Sequence, residues 1–393
     1  MKVSILSHDL SGSGAARWAA SRPFLLYQAL QQLGYEVEIL GFNFGDRPPN
    51  PAVRDRFPLT LIPGQPLPQF WQSAHRLRRA ISGDIVYALR PYLTTLGLAL
   101  WHRWRTRTPV VLDVDDWVLG WCGGDDLRYP TSLKQVARDI LKPNGALRHL
   151  DHPLYLRWAE KLVPRADAVT IHSQFLQDRF GGAYVPNGKD VDLFDPARCD
   201  RTASRDRYGL SDYRVLMFPG APRPYKGIED VLLALDQLDQ PDLRLVIVGG
   251  SPYDDYDRHL HHRWARWLIQ LPIQPAHIMP DLVAAADIIV VPQRDTPITR
   301  AQFPLKLTDG MAMAKPIIAS RVGDIPTLLG DTGFLVEPES PAAIAAQIQW
   351  IFTHYDRALT LGQQARNRCI AQYSFAAMAA RLAEVLTPLT PNR

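Results

Sequence analysis

Short apolar runs typical of buried strands alternate with helical segments through both halves of this 393-residue chain. Such an alternation gives a parallel sheet that helices cover on both faces. Because the chain is too long for one typical core, it fits two domains of roughly 200 residues each. We therefore predict an α/β protein with two doubly wound domains facing a central cleft, where the carboxyl ends of the strands bind ligand. The predicted strands are residues 3–6, 36–40, 84–89, 109–114, 168–172, 214–218, 243–248, 287–291, 316–319 and 333–336.

A polar connection over residues 189–206 contains Pro196 and several charges, and it is predicted to link the two domains. The N-terminal domain is accordingly expected at residues 1–195 and the C-terminal domain at residues 196–371. Pro23 interrupts the first helical stretch and either kinks it or starts it afresh. Residues 121–152 are irregular and punctuated by Pro and Gly, so no element is assigned to them.

Several classes of protein are excluded by composition. The chain has no apolar run near the roughly 20 residues that cross a bilayer, and its start does not read as a secretory signal. The three cysteines, Cys122, Cys199 and Cys369, are far apart and odd in number, which indicates reduced thiols and a cytoplasmic protein. No pair of Cys or His has zinc spacing, so no metal is expected.

Basic and aromatic residues are concentrated in one stretch of the first half, in which Asp84 is the only acid. Such a stretch suits binding to an anionic membrane surface. The alternative is that it forms a solvated basic face and that some of its Trp residues lie in the core. A second basic and aromatic helix is predicted over residues 258–269. Nucleic acid is a poorer candidate partner, because no recognised reading module accompanies the charge. The residues of the first stretch are Trp71, Arg76, Arg78, Arg79, Tyr87, Arg90, Tyr92, Trp101, Arg103, Trp104, Arg105 and Arg107.

Residues 303–320 predict a helix followed by a short buried strand. Pro304 is well placed at the start of this helix, because its missing N–H would be unpaired in the first turn anyway. The free N–H groups of that turn, at Leu305 and Lys306, are a usual seat for a phosphate. Asp309 lies three residues after Lys306, so both side chains can face one ligand. The segment therefore suggests a nucleotide-sugar site, although an ordinary amphipathic helix between two strands is the alternative.

Two glycine-containing loops follow predicted strands. Gly12, Ser13 and Gly14 come after the first strand, where their amides either contact a phosphate or simply form a tight turn. Gly220 opens a stiff, proline-rich loop that carries Arg223 and Lys226. Because prolines restrict this loop, both cations are predicted to be held in place beside a helix N-terminus, where they suit a diphosphate leaving group.

Three aspartates, Asp113, Asp115 and Asp116, end a strand of the first half. An Asp-x-Asp pair can hold a divalent metal on a nucleotide diphosphate, but strand-end Asp residues also cap turns. Since cations and a helix terminus already serve the diphosphate, we favour a role in acceptor binding or in cleft electrostatics.

Taken together, these segments resemble the retaining nucleotide-sugar glycosyltransferases of family four (group 1). The resemblance is specific from about residue 162 to residue 386. Departures from the pattern occur at Ala301 and Asp309 in place of two Glu residues, and at Ala221, Ala314 and Thr327 in place of Arg, Gly and Glu. The matching segments are residues 166–173, 185–194 with Pro196, 218–227, 285–292, 310–312, 315–320 and 333–336.

The resemblance implies the GT-B fold, which has two Rossmann-like domains and a final helix, here residues 372–390, that crosses back to the first domain. It also implies that Arg223 and Lys226 neutralise the donor diphosphate and that backbone at Leu305 and Lys306 seats it. Asp309 would hold ribose hydroxyls. Members of the family generally need no metal and retain the anomeric configuration.

The predicted function is transfer of a sugar from a nucleoside diphosphate sugar to a glycan or lipid-linked acceptor, without a bound cofactor. The protein is expected in the cytoplasm, with a possible peripheral position on an anionic membrane surface. Two alternatives stay open. One is an epimerase or hydrolase on the same fold, and the other is a nucleotide-sugar-binding protein without transferase activity.

Overall fold

The computed structural model describes residues 1–45, 47–129, 132–251 and 254–390. The chain divides into two compact units. Unit 1 comprises Met1–Gly188 together with the C-terminal residues from Met378 onward, and unit 2 comprises Lys189–Ala377. Within the described ranges, no helix combines the length and hydropathy that a bilayer crossing requires.

Unit 1 is built on a parallel sheet, as predicted. Its described residues form seven strands in the order β3-β2-β1-β4-β5-β6-β7. The central strands are covered on both faces, since every residue of β4 and β5 is buried. The strands are β1 Lys2–Asp9, β2 Glu36–Asn43, β3 Leu59–Pro63, β4 Ile85–Leu89, β5 Val110–Val114, β6 Ala168–Ile171 and β7 Ala183–Tyr184. The helices are α1 Arg22–Gln32, α2 Pro51–Arg54, α3 Phe70–Ala80, α4 Leu98–Thr106, α5 Leu133–Leu141, α6 Pro153–Glu160 and α7 Gln174–Phe180.

Unit 2 repeats this plan with a six-stranded parallel sheet among its described residues, in the order β10-β9-β8-β11-β12-β13. Alternate residues of β8 enter separate apolar clusters: Val215 and Met217 pack in one, and Leu216 and Phe218 in the other. The strands are β8 Arg214–Pro219, β9 Leu243–Val248, β10 Leu268–Leu271, β11 Ile288–Val291, β12 Ile317–Ser320 and β13 Phe334–Val336. The helices are α8 Arg201–Tyr208, α9 Ile228–Leu238, α10 Tyr256–Trp264, α11 Met279–Ala284, α12 Pro297–Arg300, α13 Leu305–Ala312, α14 Ile325–Leu329, α15 Pro341–Thr353 and α16 Tyr355–Tyr373, and α17 Phe375–Leu386 follows.

Of the two alternatives predicted for Pro23, the structure has the fresh start, because α1 begins at Arg22 with Pro in its first turn. One predicted element differs from the structure at a sheet edge. The helix predicted over residues 258–269 was wrong in its second half, where α10 ends at Trp264 and β10 begins at Leu268. Trp264 and Trp267 are buried in the core of unit 2, so this stretch does not present a basic and aromatic surface.

The unit boundaries also differ from those predicted at residues 195 and 371. The backbone of Lys189 bonds to the end of unit 2: its N–H donates to Tyr373 O (2.7 Å), and its carbonyl accepts from Phe375 N (3.1 Å). Unit 2 therefore begins at Lys189. The predicted linker is not irregular throughout, since α8 begins at Arg201, where Asp200 caps it.

Asp113 stabilises unit 1 from within. Its carboxylate accepts from Arg22 Nε (2.9 Å) and Arg22 Nη2 (2.8 Å), and Thr170 Oγ1 also donates to it (2.7 Å). Asp113 is fully buried, as is the Arg22 side chain apart from 2% of its surface. The prediction that Asp113 contacts an acceptor was therefore wrong, because the carboxylate is enclosed and its oxygens are already bonded.

We expect Asp113→Ala to lower the free energy of unfolding by roughly 3–5 kcal/mol, because it leaves the buried Arg22 charge without its partner. Denaturant unfolding followed by circular dichroism measures the loss. The matched control is Asp55→Ala, which removes an exposed pair with Arg54 in the same unit and should cost at most about 1 kcal/mol. Equal losses in the two variants would contradict the structural role of Asp113.

Candidate functional site

The start of α13 carries the first part of the site, and the predicted helix and strand of residues 303–320 are both present. Pro304 is the N-cap residue of α13, and no side chain caps the helix. By contrast, Ser173 accepts a capping hydrogen bond at the start of α7. The first-turn N–H groups of α13, at Leu305 and Lys306, are therefore not taken by a capping side chain and suit an anion.

Lys306 reaches from α13 to the end of β8. Its Nζ lies 4.6 Å from the centre of the Phe218 ring, and a Cβ placed on Gly220 would lie 3.7 Å from its Cε. Burial away from water lowers the pKa of Lys306 to about 8, although the charge of Asp309 opposes this shift. Among the described residues, no carboxylate forms an ion pair with Lys306, because the Asp309 carboxylate pairs with Lys189. A buried cation without a partner favours a negatively charged ligand.

The loop after β8 is fixed by close packing. Gly220 has a φ of 146°, and Gly227 has a φ of 69° at the start of α9. A Cβ on Gly227 would lie only 1.8 Å from Pro292 O, so only glycine permits this contact. The loop is thereby held against the end of β11.

Both predicted cations of this loop have partners within unit 2. Lys226 Nζ donates to Gln302 Oε1 (2.6 Å), which ties the loop to the residues that lead into α13. Arg223 Nη1 forms an ion pair with Asp254 Oδ2 (3.0 Å). The structure thus brings Lys226 and the start of α13 together, whereas Arg223 is directed to a carboxylate that the sequence did not identify.

Asp309 forms a buried ion pair with Lys189, the first residue of unit 2. Lys189 Nζ also lies 3.0 Å from the centre of the Phe194 ring. This pairing could not be predicted from the sequence, because the two residues are 120 positions apart. Asp309 is therefore held in position by Lys189, and its exposed side-chain fraction of 15% leaves little of it for a ligand.

A cavity of about 430 Å³ lies at the carboxyl ends of β9 and β10, next to the loop of Gly220. A Cβ placed on Gly249 would lie 3.7 Å from Ile273 Cγ1 and 3.8 Å from both Ala221 N and Gly220 C. Sequence reasoning missed this cavity, although the Gly-Gly pair after a strand was a possible signal. Its lining residues are Gly249, Gly250, Gln270, Leu271, Pro272 and Ile273.

The structure shows the burial of Ala301 and the backbone conformation of Ala314, two positions at which the sequence departs from the family pattern. Ala301 follows α12 and is fully buried. Ala314 has a φ of 53°, a left-handed conformation that favours glycine, the residue expected at this position. The backbone therefore keeps the turn that the glycine would make.

The glycine loop of unit 1 does not offer its amides to a phosphate. Gly12 N donates to Arg47 O (2.9 Å), Ser13 N to Ser11 Oγ (3.2 Å), and Gly14 N to Ser11 O (3.0 Å). A Cβ on Gly12 would lie 2.1 Å from Pro48 O. The predicted donor-binding role of these three residues is therefore wrong for their backbone, and the loop is the tight turn given as the alternative.

Asp115 and Asp116 lie at the end of β5. Asp115 pairs with Arg90 (2.7 Å); although burial disfavours its charge, the Arg90 guanidinium lowers the pKa of Asp115 to about 2. Burial raises the pKa of Asp116, whose carboxylate accepts from Trp121 Nε1 (3.0 Å). Within the described ranges, no group of three or more His, Cys, Asp or Glu side chains is arranged to hold a metal ion.

His8 is a further polar residue at this edge of unit 1, and sequence reasoning missed it. Its ring stacks on Tyr92 with 4.2 Å between centres, and its Nδ1 lies 2.7 Å from Thr94 Oγ1. Burial lowers the pKa of His8 to about 4, so its imidazole is neutral at neutral pH. Its place near the end of β1, two residues after the buried Leu6, was the available signal.

Two family models match the chain, one on each side of the unit boundary. Residues 14–191 match "Glycosyl transferase 4-like domain", and residues 213–354 match "Glycosyl transferases group 1". The chain belongs to the group 1 glycosyltransferases. The second match contains the loop of Gly220, the cavity and α13, so the site described in unit 2 lies within the family's own domain.

The names of two curated relatives refer to phosphatidylinositol monomannoside and to D-inositol 3-phosphate. A GDP-mannose-dependent alpha-(1-6)-phosphatidylinositol monomannoside mannosyltransferase of Mycolicibacterium smegmatis is 29% identical over 56% of this chain and 62% of its own length. A D-inositol 3-phosphate glycosyltransferase of Corynebacterium glutamicum is 28% identical over 59% of this chain and 60% of its own length. The chain thus spans about three fifths of the length of these relatives.

Solved structures share the fold of this glycosyltransferase over its whole length. Anabaena HepE in complex with UDP has a TM-score of 0.73 and 21% identity, and the match covers 99% of this chain and 100% of HepE. Sucrose-phosphate synthase from Thermosynechococcus elongatus has a TM-score of 0.70 and 19% identity, with 99% of each chain covered. The predicted fold class, with two Rossmann-like units, is confirmed.

Because Lys306 is buried with a pKa of about 8, we expect diphosphate binding by this glycosyltransferase to depend on pH. The affinity for UDP or GDP should hold steady up to about pH 8 and fall by up to tenfold per pH unit above it, as Lys306 loses its proton. Isothermal titration between about pH 7 and 10 measures this dependence. Lys306→Met should bind weakly at every pH, and the same alkaline fall in that variant would contradict the assignment.

Proposed function

We propose that this protein is a retaining glycosyltransferase that moves a sugar from a nucleoside diphosphate sugar to a glycan or lipid-linked acceptor. The single observation that carries the proposal is the half-buried ammonium of Lys306, which pairs with no carboxylate of the described residues and lies beside the uncapped start of α13 and the end of β8. This combination suits a diphosphate. Support also comes from the mannosyltransferase relative, which is GDP-mannose-dependent by name, and from the structural neighbour HepE, which was solved in complex with UDP.

In the proposed donor complex, the diphosphate lies between Lys306 and the loop of Gly220. The nucleoside extends into the neighbouring cavity, whose Leu271, Pro272 and Ile273 offer apolar contact. Negative charge builds on the leaving diphosphate as the glycosidic bond breaks. Lys306, Lys226 and the N–H groups of α13 stabilise that charge, which lowers the barrier.

Lys226 and Arg223 have different roles in this proposal. Lys226 is held by Gln302, which lies three residues before α13, so its ammonium would face a phosphate from the side of the loop. Arg223 must leave Asp254 to do so. Asp309 holds the ribose hydroxyls with whatever part of its carboxylate Lys189 leaves accessible. No resident cofactor or metal is part of the proposed reaction.

Ala301 is the specific observation that favours a rival function, that of a nucleotide-sugar-binding protein without transferase activity. A buried methyl group cannot accept hydroxyl hydrogen bonds from a donor sugar, as the Glu of the family pattern would. A protein that lacks this contact could bind the nucleotide sugar without transferring the sugar. An epimerase or hydrolase on the same fold is the other rival, and both differ from the transferase in their products.

A donor panel separates these functions. Titration calorimetry with UDP-, GDP- and ADP-sugars first identifies the nucleotide, and product analysis with and without added acceptors follows. Acceptor-dependent transfer with retention supports the proposal. Tight binding without turnover of any donor supports the binding protein, and free sugar or an epimer in acceptor-free buffer supports the hydrolase or epimerase.

For the transferase, we expect Lys306→Met to lower kcat by about 10²–10³, the usual cost of losing one preorganised donor to a developing negative charge. Initial rates with the donor identified above measure the effect. Lys161→Met, which removes an exposed lysine of unit 1, is the matched control and should leave the rate unchanged. Equal rates in both variants would contradict the role of Lys306.

The proposal also includes a membrane contact through which a lipid-linked acceptor would reach unit 1. A groove of about 580 Å³ lies on α3 and α4, and we call it the Arg/Trp groove. Trp71 is 63% exposed there, so this stretch is not merely a basic face with its Trp in the core. We propose that the groove receives anionic lipid headgroups while a lipid-linked acceptor enters unit 1. The lining residues are Trp71, Gln72, His75, Arg76, Arg79 and Trp101.

A further inference from the structure

Helix α5, in the segment that the sequence left unassigned, has its apolar side exposed. Leu133 is 87% exposed, Leu141 is 78% exposed and Ile140 is 53% exposed. The one acidic residue of the helix, Asp139, is buried instead, where its carboxylate accepts from Tyr129 Oη (2.6 Å). A helix of a soluble domain normally places these two kinds of residue the other way round. We call the exposed residues Leu133, Ala137, Ile140 and Leu141 the α5 face.

The orientation of α5 is fixed by contacts with the residues on either side of it in the chain. Asp139 holds the polar side inward through Tyr129, and a Cβ on Gly145 would lie 2.1 Å from Asp139 O, so the chain packs tightly against the helix end. These contacts keep the apolar side chains outward. The exposure of these apolar side chains therefore follows from the folded structure of the unit.

Arg148 connects the end of α5 to the start of α3. Its Nη1 donates to Lys142 O (3.4 Å), which follows α5. Its Nε donates to Leu67 O (2.6 Å) and its Nη2 to Gln69 Oε1 (3.5 Å), which precede α3. Trp71 lies in the first turn of α3, so the α5 face and the Arg/Trp groove are neighbours in one unit.

The charge around the α5 face is positive. Lys134, Arg138 and Lys142 are exposed on or next to α5, and the helix presents no exposed carboxylate. The nearby α3 and α4 carry several arginines and no acid. Exposed leucines flanked by cations match the boundary between headgroups and acyl chains of an anionic bilayer.

We infer that α5 is an interfacial anchor that inserts the α5 face into an anionic phospholipid bilayer beside the Arg/Trp groove. This inference deepens the proposed membrane contact by adding apolar insertion to charge attraction. The two contributions respond differently to salt, because screening weakens the attraction of exposed charges but not the burial of apolar side chains.

The test compares the wild-type chain with the triple variant Leu133→Ser, Ile140→Ser, Leu141→Ser. Each is sedimented with phosphatidylcholine vesicles that contain phosphatidylglycerol, at low and at high sodium chloride. Wild type should keep part of its binding at high salt, and the triple variant should lose it, with a fall in partition coefficient on the order of 100-fold. Leu141→Trp should bind more tightly than wild type, because Trp favours the interface.

The matched control is Leu359→Ser, Ile370→Ser, which removes two exposed apolar side chains from α16 of unit 2 and should bind as wild type does. Unchanged UDP or GDP binding by the triple variant without lipid shows that the donor site and the fold are intact, so a wrong donor proposal is distinguishable from a wrong anchor. Salt-resistant binding that survives in the triple variant would overturn the inference. So would a wild-type dimer in lipid-free buffer that the triple variant abolishes without any change in vesicle binding.

Discussion

Burial of both faces of each parallel sheet is the constraint on which the rest of this structure depends. Strands such as β4, β5 and β8 are buried on both sides, so neither of their faces is open to solvent or ligand. Polar and charged side chains can collect only where the strands end. In unit 2 these ends carry Gly220 and the cavity beside it, and in unit 1 they carry His8 and Asp115.

Several cations of unit 2 have a side-chain partner, whereas no carboxylate of the described residues forms an ion pair with Lys306. Lys189 neutralises Asp309, Arg223 has Asp254, and Lys226 is held by Gln302. Lys306 is buried against Phe218 and the end of β8 without such a carboxylate. In the proposed donor complex, a bound diphosphate would offset the cost of burying that charge, and the lysine would then serve function rather than stability.

The sequence was sufficient for the fold and for the helix and strands that border the proposed donor site, but not for the bonds between distant residues. The central strands and α13 have apolar runs long enough to identify. The edge strand β10 is only four residues long and follows a helical pattern, so it was taken as part of α10. Asp113 looked like a strand-end carboxylate because its partner Arg22 is far away in the chain. The sequence suggested that the Gly12 amide could bind a phosphate, because nothing in the sequence shows that this amide donates to Arg47 O.

The unpaired ammonium of Lys306 has a consequence for how the proposed reaction would end. A free nucleoside diphosphate carries one more ionisable phosphate oxygen than the sugar-linked donor. A desolvated cation attracts the more highly charged molecule more strongly. The spent nucleotide would then be held more firmly than the fresh donor. Turnover in a cell would be governed by how quickly the by-product is removed, and the enzyme would slow down wherever that by-product accumulates.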